Sequence, residues 1–186
     1  SRLLTDITKK TVCELIPEVN ILSEPERKNT AACIAFATLL LQKRYKEGVL
    51  CFVPADGYVK DTEKYAEALQ LAFDTAEQTN GIVIIGVKPS YPADGYGYIH
   101  VEPVKDDSVK TSRVLSFIEK PPVQVAQELI LSDDYLWNCG IVVGTMDAII
   151  RNIKEHIPEH YYKLAEALER EENEASDLFM QAYREL

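Results

Sequence analysis

The sequence lacks the features that would place it in a special structural class. No apolar run approaches the roughly 20 uninterrupted residues that a membrane-spanning helix needs, so we expect no membrane partner. Glycine and proline number only 8 and 9 among 186 residues, which excludes a collagen-like or disordered chain. With 46% hydrophobic and 27% charged residues, the composition predicts a single globular domain over residues 1–186.

Positive charge is also scarce. Lysine and arginine total 20 against 30 acidic residues, for a formal net charge of −10. A chain this acidic repels a polyphosphate backbone, so we expect no nucleic-acid partner. A small anionic substrate is not excluded, because it needs only a few well-placed cations.

Cysteine is present but shows no pairing pattern. The four cysteines, at positions 13, 33, 51 and 139, form no CxxC pair, and each lies in an apolar segment. A disulfide framework or a metal site would be the functional interpretation. These spacings instead favour reduced core thiols in a cytoplasmic protein.

Strand-like and helix-like segments alternate along the chain, which predicts an α/β fold with a Rossmann-like, mostly parallel sheet flanked by helices. The predicted strands are Asn20–Leu22, Val49–Pro54, Ile82–Val87, Gly95–Val101, Val114–Ile118 and Cys139–Gly144. The predicted helices are Thr8–Leu15, Thr30–Tyr45 with Asn29 or Thr30 as its cap, Asp61–Asn80, Val123–Leu131, Met146–His156 and His160–Glu171. We expect the apolar runs Val49–Pro54 and Ile82–Val87 to be buried strands.

Two polar segments border these elements where ligands commonly bind. Glu24–Ala31 leads into a helix N-terminus and carries two cations, an arrangement suited to a phosphate, although spacing alone favours a capping loop with solvated charges. Pro54–Gly57 follows an apolar strand. Asp56 in this turn could hold Mg²⁺ on the phosphates of a nucleotide, or could simply cap the next helix.

Two further segments combine glycine with groups that bind sugars. Gly95–Tyr98 would let a ligand approach the backbone, although a bend within a strand explains the same glycines. Glu119–Pro122 and Tyr135–Gly140 supply a carboxylate, an ammonium group and an amide, which can bind sugar hydroxyls and a phosphate. An exposed strand end and an interior aromatic turn remain the alternatives.

Together these segments resemble the sugar-1-phosphate nucleotidyltransferase family, and within it the mannose-1-phosphate guanylyltransferases. The family shows an EPxxRNTA loop, a PSDH or PADH turn, and GYGYI, EKP and YLWNSG elements in this order. The corresponding segments here are Glu24–Ala31, Pro54–Gly57, Gly95–Ile99, Glu119–Pro121 and Tyr135–Gly140. One such motif would mean little, but five in order make coincidence improbable.

The resemblance implies a reaction and a role for each matching residue. The reaction is guanylyl transfer from GTP to mannose 1-phosphate with Mg²⁺, giving GDP-mannose and pyrophosphate, and many family members are homodimers. The implied catalytic residues are Asp56, also the metal ligand, and Lys120, which would bind the sugar phosphate. The implied nucleotide-binding residues are Glu24, Arg27, Lys28, Asn29 and Thr30. The implied sugar-binding residues are Gly97, Glu119 and Asn138.

The chain departs from the family pattern in ways that affect these expectations. Lys28 replaces an arginine, Gly57 a histidine and Cys139 a serine. The sequence also has no glycine-rich GGxGxRL loop, and the family's second metal-binding Asp would follow Leu186. We therefore expect an N-terminal βαβ unit to be missing from this chain, and the polypeptide of residues 1–186 to be inactive alone.

Two alternatives remain open. The first is a related enzyme that uses another base or sugar, such as a glucose-1-phosphate nucleotidyltransferase. The second is a non-catalytic subunit that binds sugar nucleotides, which the absent glycine-rich loop would favour.

Overall fold

A computed structural model describes residues 2–12, 14–103, 111–170 and 177–186. The chain divides into two compact units. The first comprises Ser1–Leu50, Thr79–Gly81 and Gly144–Leu186, and the second comprises Cys51–Gln78 and Ile82–Val143. The expectation of a single domain stays a prediction, and the expectation for the Cys13 thiol lies outside the described residues.

Seven helices and five strands make up the described part of the chain. The helices are α1 (Arg2–Val12), α2 (Asn29–Tyr45), α3 (Thr62–Thr79), α4 (Val123–Leu129), α5 (Met146–His156), α6 (Pro158–Arg170) and α7 (Asp177–Arg184). The strands are β1 (Val49–Phe52), β2 (Ile82–Val87), β3 (Tyr98–Val101), β4 (Val114–Ile118) and β5 (Tyr135–Thr145). Within these residues, no helix is both long and apolar enough to cross a membrane.

The core of the first unit is built from helices α2, α5, α6 and α7. Helix α2 buries a stripe at the spacing of one helical face, formed by Ala32, Ala35, Phe36, Leu39 and Leu40. Helix α5 opposes it with three buried isoleucines, Ile149, Ile150 and Ile153. The side chain of Thr145 caps α5 by accepting a hydrogen bond from the Ala148 amide at 3.1 Å.

The start of α2 differs from the sequence-based expectation. Neither Asn29 nor Thr30 is the cap: Lys28 occupies that position and makes no side-chain capping bond. Asn29 is already helical in its hydrogen bonding although its φ is +64°. A lysine side chain has no acceptor atom, so the first-turn amides of α2 receive no side-chain cap from this residue.

The strands form one sheet in the order β1-β5-β3-β4, with β2 also paired with β5. Strand β3 runs antiparallel to β4 and to β5. The mixed α/β class is confirmed, but the expectation of a mostly parallel, Rossmann-like sheet is wrong for these pairs. Strands β3 and β4 are consecutive strands of the chain and pair as antiparallel neighbours. Strand β3 then lies between β4 and β5, although α4 links those two in sequence.

Several predicted strands also need correction. Asn20–Leu22 is not a strand, because a 3₁₀ turn spans Glu18–Asn20 after Pro17. Strands β1 and β2 are only partly buried, so their apolar runs did not signal full burial. Ile82–Val87, Val114–Ile118 and Met146–His156 have their predicted bounds, and the other predicted strands and helices are present with shifted ends. The first helix begins at Arg2 rather than at Thr8. Helix α7 was not predicted.

The buried hydroxyl of Thr38 on α2 provides a test of the first unit's packing. Thr38 is fully buried, and its Oγ1 has no hydrogen-bond partner among the described residues. Because an unpaired buried polar group costs about 1–3 kcal/mol, we expect Thr38→Val to increase the free energy of unfolding by about 1 kcal/mol. The control Thr145→Val removes a cap and should lower it by a similar amount. Urea denaturation measures both, and a destabilised Thr38→Val protein would contradict the assignment.

Candidate functional site

Gly97 contacts two other predicted site residues of the second unit, Glu119 and Asn138. The Phe117 ring and the Glu119 carboxylate cover its α-carbon. A Cβ atom built on Gly97 would lie 2.5 Å from Phe117 Cζ and 3.1 Å from Glu119 Oε2. Any other residue at position 97 would therefore displace one of these side chains. The close approach explains the glycine, which precedes β3 rather than lying inside it as predicted.

Asn138 on β5 joins the same group. Its backbone amide donates a hydrogen bond of 2.8 Å to the Gly97 carbonyl, extending the pairing of β3 with β5. Its side-chain Oδ1 accepts a bond of 3.1 Å from the Gly140 amide, where the backbone has a φ of +71°. The acceptor of the amide is thus engaged, which leaves the Nδ2 donors of Asn138 for a ligand.

Glu119 and Lys120 follow the end of β4. Lys120 Nζ lies 3.2 Å from Glu119 Oε1, and the two side chains are 61% and 62% exposed. Lys120 takes a φ of +41°, which is uncommon for a residue with a side chain. The chain turns here, so that the carboxylate and the ammonium group end beside each other, with the carboxylate close to Gly97.

The turn that carries Asp56 lies next to this group through its proline. A Cβ atom built on Gly140 would lie 3.6 Å from Pro54 Cγ. Asp56 itself is exposed, and it makes no hydrogen bond or ion pair with any other described residue. No cluster of three or more His, Cys, Asp or Glu that could hold a metal occurs among the described residues. A single open carboxylate nevertheless suits Mg²⁺, which commonly takes one or two carboxylates together with phosphate oxygens and water.

Sequence reasoning missed an aromatic group on the opposite face of β5. Trp137 packs against Tyr91 with ring centroids 4.9 Å apart and against Tyr96 at 5.1 Å. The neighbouring Tyr96 hydroxyl and partial burial raise the pKa of Tyr91. Because side chains alternate along a strand, packing of Trp137 on one face turns Asn138 toward the other. The sequence signal was present, since Tyr96 and Trp137 both lie inside the quoted motifs.

The first unit contains the predicted nucleotide-binding residues. Arg27, Asn29 and Thr30 are exposed at the N-terminal end of α2. Arg27 makes no ion pair or hydrogen bond with another described residue. The positive end of α2, without a side-chain cap, and the guanidinium of Arg27 form a surface suited to phosphate groups.

Glu24 and Lys28, by contrast, are bonded to helix α7. The Tyr183 hydroxyl donates a hydrogen bond to Glu24 Oε1. Lys28 Nζ donates to the Arg184 carbonyl at 2.7 Å, and Arg184 Nε lies 3.4 Å from Glu26 Oε1. Sequence reasoning missed α7 altogether, although its residues contact three positions of the predicted nucleotide segment.

The contact between Tyr183 and Glu24 is in a sheltered environment. Tyr183 is fully buried, and its ring meets Phe36 edge-on with centroids 5.9 Å apart. Burial, reinforced by the hydrogen bond to Glu24, raises the pKa of the Tyr183 phenol. Burial and the nearby Glu24 carboxylate likewise raise the pKa of the Cys33 thiol. Both groups are therefore neutral at neutral pH, and the Tyr183 hydroxyl donates to Glu24.

Comparison with known proteins identifies the family. A family model described as "Nucleotidyl transferase" matches residues 2–183. The chain belongs to the nucleotidyl transferase family. The Escherichia coli protein named mannose-1-phosphate guanylyltransferase is 33% identical over 144 residues, covering 75% of this chain and 31% of that protein. The alginate biosynthesis protein AlgA of Pseudomonas aeruginosa is 33% identical over 154 residues, covering 83% and 32%.

Solved structures agree with this membership. A Thermus thermophilus protein named mannose-1-phosphate geranyltransferase matches with a TM-score of 0.73 and 27% identity, over 98% of this chain and 57% of that chain. A Helicobacter pylori protein named mannose-6-phosphate isomerase matches with a TM-score of 0.70 and 27% identity, over 88% and 62%. This nucleotidyl transferase chain spans about a third of the length of the curated relatives it matches.

The crowding at Gly97 yields a prediction about stability. We expect Gly97→Ala to lower the free energy of unfolding by about 1–3 kcal/mol, because overpacking displaces neighbouring side chains. Gly95→Ala is the matched control: a Cβ atom there meets nothing within 4 Å, so the change should be within about 0.5 kcal/mol. Adding Phe117→Ala to Gly97→Ala should recover part of the loss. Equal urea midpoints for the two glycine variants would refute the crowding.

Proposed function

We propose that this chain contributes to guanylyl transfer from GTP to mannose 1-phosphate, which yields GDP-mannose and pyrophosphate. The observation that supports this most is the contact network of Gly97, Glu119, Lys120 and Asn138 beside the Asp56 turn. A carboxylate, an amide donor and an ammonium group meet there around the buried backbone of Gly97. The relatives named mannose-1-phosphate guanylyltransferase support the choice of substrates.

The proposed reaction needs no nucleophile from the protein. The second pKa of a phosphate monoester is about 6, so the sugar phosphate is largely a dianion at neutral pH. One of its oxygens attacks the α-phosphorus of the nucleotide and forms the new P–O bond. The bond to the β-phosphate oxygen breaks, and pyrophosphate leaves with the electron pair. The chain's own residues align the reactants and offset negative charge.

Lys120 is the residue proposed to hold the sugar phosphate. In the free protein its ammonium group lies beside Glu119, with both side chains largely exposed. Exposed ion pairs contribute about 0–1 kcal/mol, so exchanging this partner for a phosphate dianion costs little. Glu119 is then available to accept hydrogen bonds from sugar hydroxyls.

Glu119 and Asn138 are complementary in their hydrogen bonding. The carboxylate only accepts hydrogen bonds, whereas the Nδ2 group of Asn138 only donates while Oδ1 is engaged by Gly140. A sugar hydroxyl pair can donate to one and accept from the other. This pairing of one acceptor and one donor is the basis on which we propose that the site selects a hydroxyl arrangement.

Asp56 and the N-terminus of α2 are proposed to serve the nucleotide. Mg²⁺ held by Asp56 would offset charge on the nucleotide phosphates. Arg27, Asn29, Thr30 and the open amides of α2 would bind phosphate or base groups, with Glu24 and Lys28 on the same segment. The described cysteines are free thiols, which is consistent with the proposed cytoplasmic location.

The departures from the family pattern support a second candidate function. In this alternative, the protein is a related enzyme that uses another base or another sugar. Lys28 lacks the planar fork of the family arginine and is already bonded to Arg184. Gly57 has open space around it, so no steric reason excludes the family histidine. A third candidate is a non-catalytic subunit that binds sugar nucleotides without turning them over.

A nucleotide and sugar panel separates these candidates. The full-length protein is incubated with Mg²⁺, each of GTP, ATP, UTP, CTP and dTTP, and mannose or glucose 1-phosphate, and pyrophosphate release is followed. We expect GTP with mannose 1-phosphate to react fastest. Another preferred pair would establish the second candidate, and binding without turnover would establish the third.

The role of Lys120 can be tested by substitution. We expect Lys120→Met to raise the KM for mannose 1-phosphate and lower kcat/KM at least about a hundredfold, because a charge-assisted phosphate contact is lost. Lys88→Met is the control, since Lys88 forms only an exposed ion pair with Asp133. Equal kinetics for the two variants would show that Lys120 does not bind the sugar phosphate.

Asn138 offers a finer test of sugar recognition. Asn138→Asp keeps an oxygen for the Gly140 amide but removes the Nδ2 donors. We therefore expect the fold to be retained while the KM for mannose 1-phosphate rises about tenfold or more, the effect of one lost hydrogen bond to a polar partner left unpaired. The KM for GTP should change little. A rise in both constants together would indicate a general distortion instead.

A further inference from the structure

Helix α7 contacts the nucleotide segment at successive alternate positions. Glu24, Glu26 and Lys28 meet the Tyr183 hydroxyl, the Arg184 guanidinium and the Arg184 carbonyl, respectively. Two of these three, Glu24 and Lys28, are among the residues proposed for the nucleotide. The helix therefore contacts two of the residues proposed to bind the nucleotide.

The three contacts differ in how far they are exposed to solvent, and therefore in how strongly each holds the segment in place. Arg184 and Glu26 have side chains that are 55% and 50% exposed, so their ion pair contributes little. Tyr183 is fully buried against Phe36, and its hydroxyl has a charged acceptor in a partly buried position. Hydrogen bonds to charged groups are the stronger kind, and more so away from water.

Glu24 has further acceptor capacity beyond this bond. A carboxylate offers about four lone-pair sites on two oxygens. Tyr183 takes one site on Oε1, and the Cys33 thiol lies near the same carboxylate. Tyr183 belongs to the packed interior of the first unit, so its hydroxyl restricts the orientation of the carboxylate and leaves the remaining acceptor sites for a ligand.

We propose that Tyr183 is a positioning residue that orients the Glu24 carboxylate for recognition of the nucleotide base. The inference rests on the proposed function, because it assumes that Glu24 faces the base. A guanine edge presents a ring N–H and an amino group side by side, and a fixed carboxylate can accept from both. Adenine has no such pair of donors. The ligand class read by Glu24 is thus a purine nucleotide with two adjacent donors.

The alternative is that Glu24 is only an anchor for α7. Tyr183→Phe separates the two, because it removes the hydroxyl and keeps the ring that packs on Phe36. Tyr162→Phe is the matched control: the same atom is removed from a tyrosine that is 64% exposed. Glu24→Gln and the double variant Glu24→Gln/Tyr183→Phe complete a cycle that reports whether the hydroxyl acts through the carboxylate.

Binding of GTP and of ATP to the full-length protein with Mg²⁺ is measured by calorimetry, alongside thermal unfolding. We expect Tyr183→Phe to weaken GTP binding about tenfold and ATP binding by less than about twofold, as a misaligned charged hydrogen bond predicts. In the Glu24→Gln background the same change should leave the GTP to ATP affinity ratio unaltered. The Tyr162→Phe protein should bind both as the wild type does.

Each failure has its own signature. If wild-type protein binds GTP but Tyr183→Phe lowers only the unfolding temperature and leaves the GTP to ATP ratio intact, Tyr183 is structural and this inference is wrong. The proposed function then stands. If the wild type binds neither nucleotide, or shows no preference for GTP, the proposed guanylyl transfer is wrong. The inference about Tyr183 is then wrong as well, because it rests on that function.

Discussion

The pairing of β3 with two antiparallel neighbours is the constraint on which the candidate sugar site depends. Strand β4 brings Glu119 to one side of Gly97, and β5 brings Asn138 to the other. These residues are far apart in sequence, and only the pairing makes them neighbours. A one-residue slip of either register would turn their side chains to the other face of the sheet.

The first unit is organised by burial rather than by strand pairing. Helices α2, α5, α6 and α7 close over one apolar core, and Tyr183 is its most buried polar side chain together with Thr38. Since the phenol cannot reach water, it needs an acceptor, and Glu24 supplies one. The buried Tyr183 hydroxyl therefore holds the Glu24 carboxylate in place on the segment that leads into α2.

What the sequence predicted reliably was local. The predicted bounds of α2, α3 and α5 agree with the structure to within one residue, which is inside the usual uncertainty of helix ends. Strand direction depends on which strands become neighbours, and the local sequence does not show this. The alternation of strands and helices predicted parallel neighbours, yet β3 lies between β4 and β5 and is antiparallel to both. The ordered motifs identified the family and residues that do come together around Gly97. Their functional roles stay predictions.

The contact of Tyr183 with Glu24 could not be predicted because 159 residues separate the two in the chain. The motif that contains Glu24 indicates a ligand, but it carries no sign of an internal partner. Only packing reveals that the carboxylate already has one. The same limit applies to Phe117, whose position over Gly97 follows from the register of β4 and not from its place in the sequence.

Exposure then distinguishes the residues that can exchange partners from those that hold position. Glu119 and Lys120 meet in water, so a sugar phosphate can replace their mutual contact at little cost. Glu24 is bonded to a phenol with no access to water, and breaking that bond would strand a buried donor. The first pair therefore suits the binding and release that the proposed function would require. The second is suited to holding one geometry throughout, which is what discrimination between bases requires.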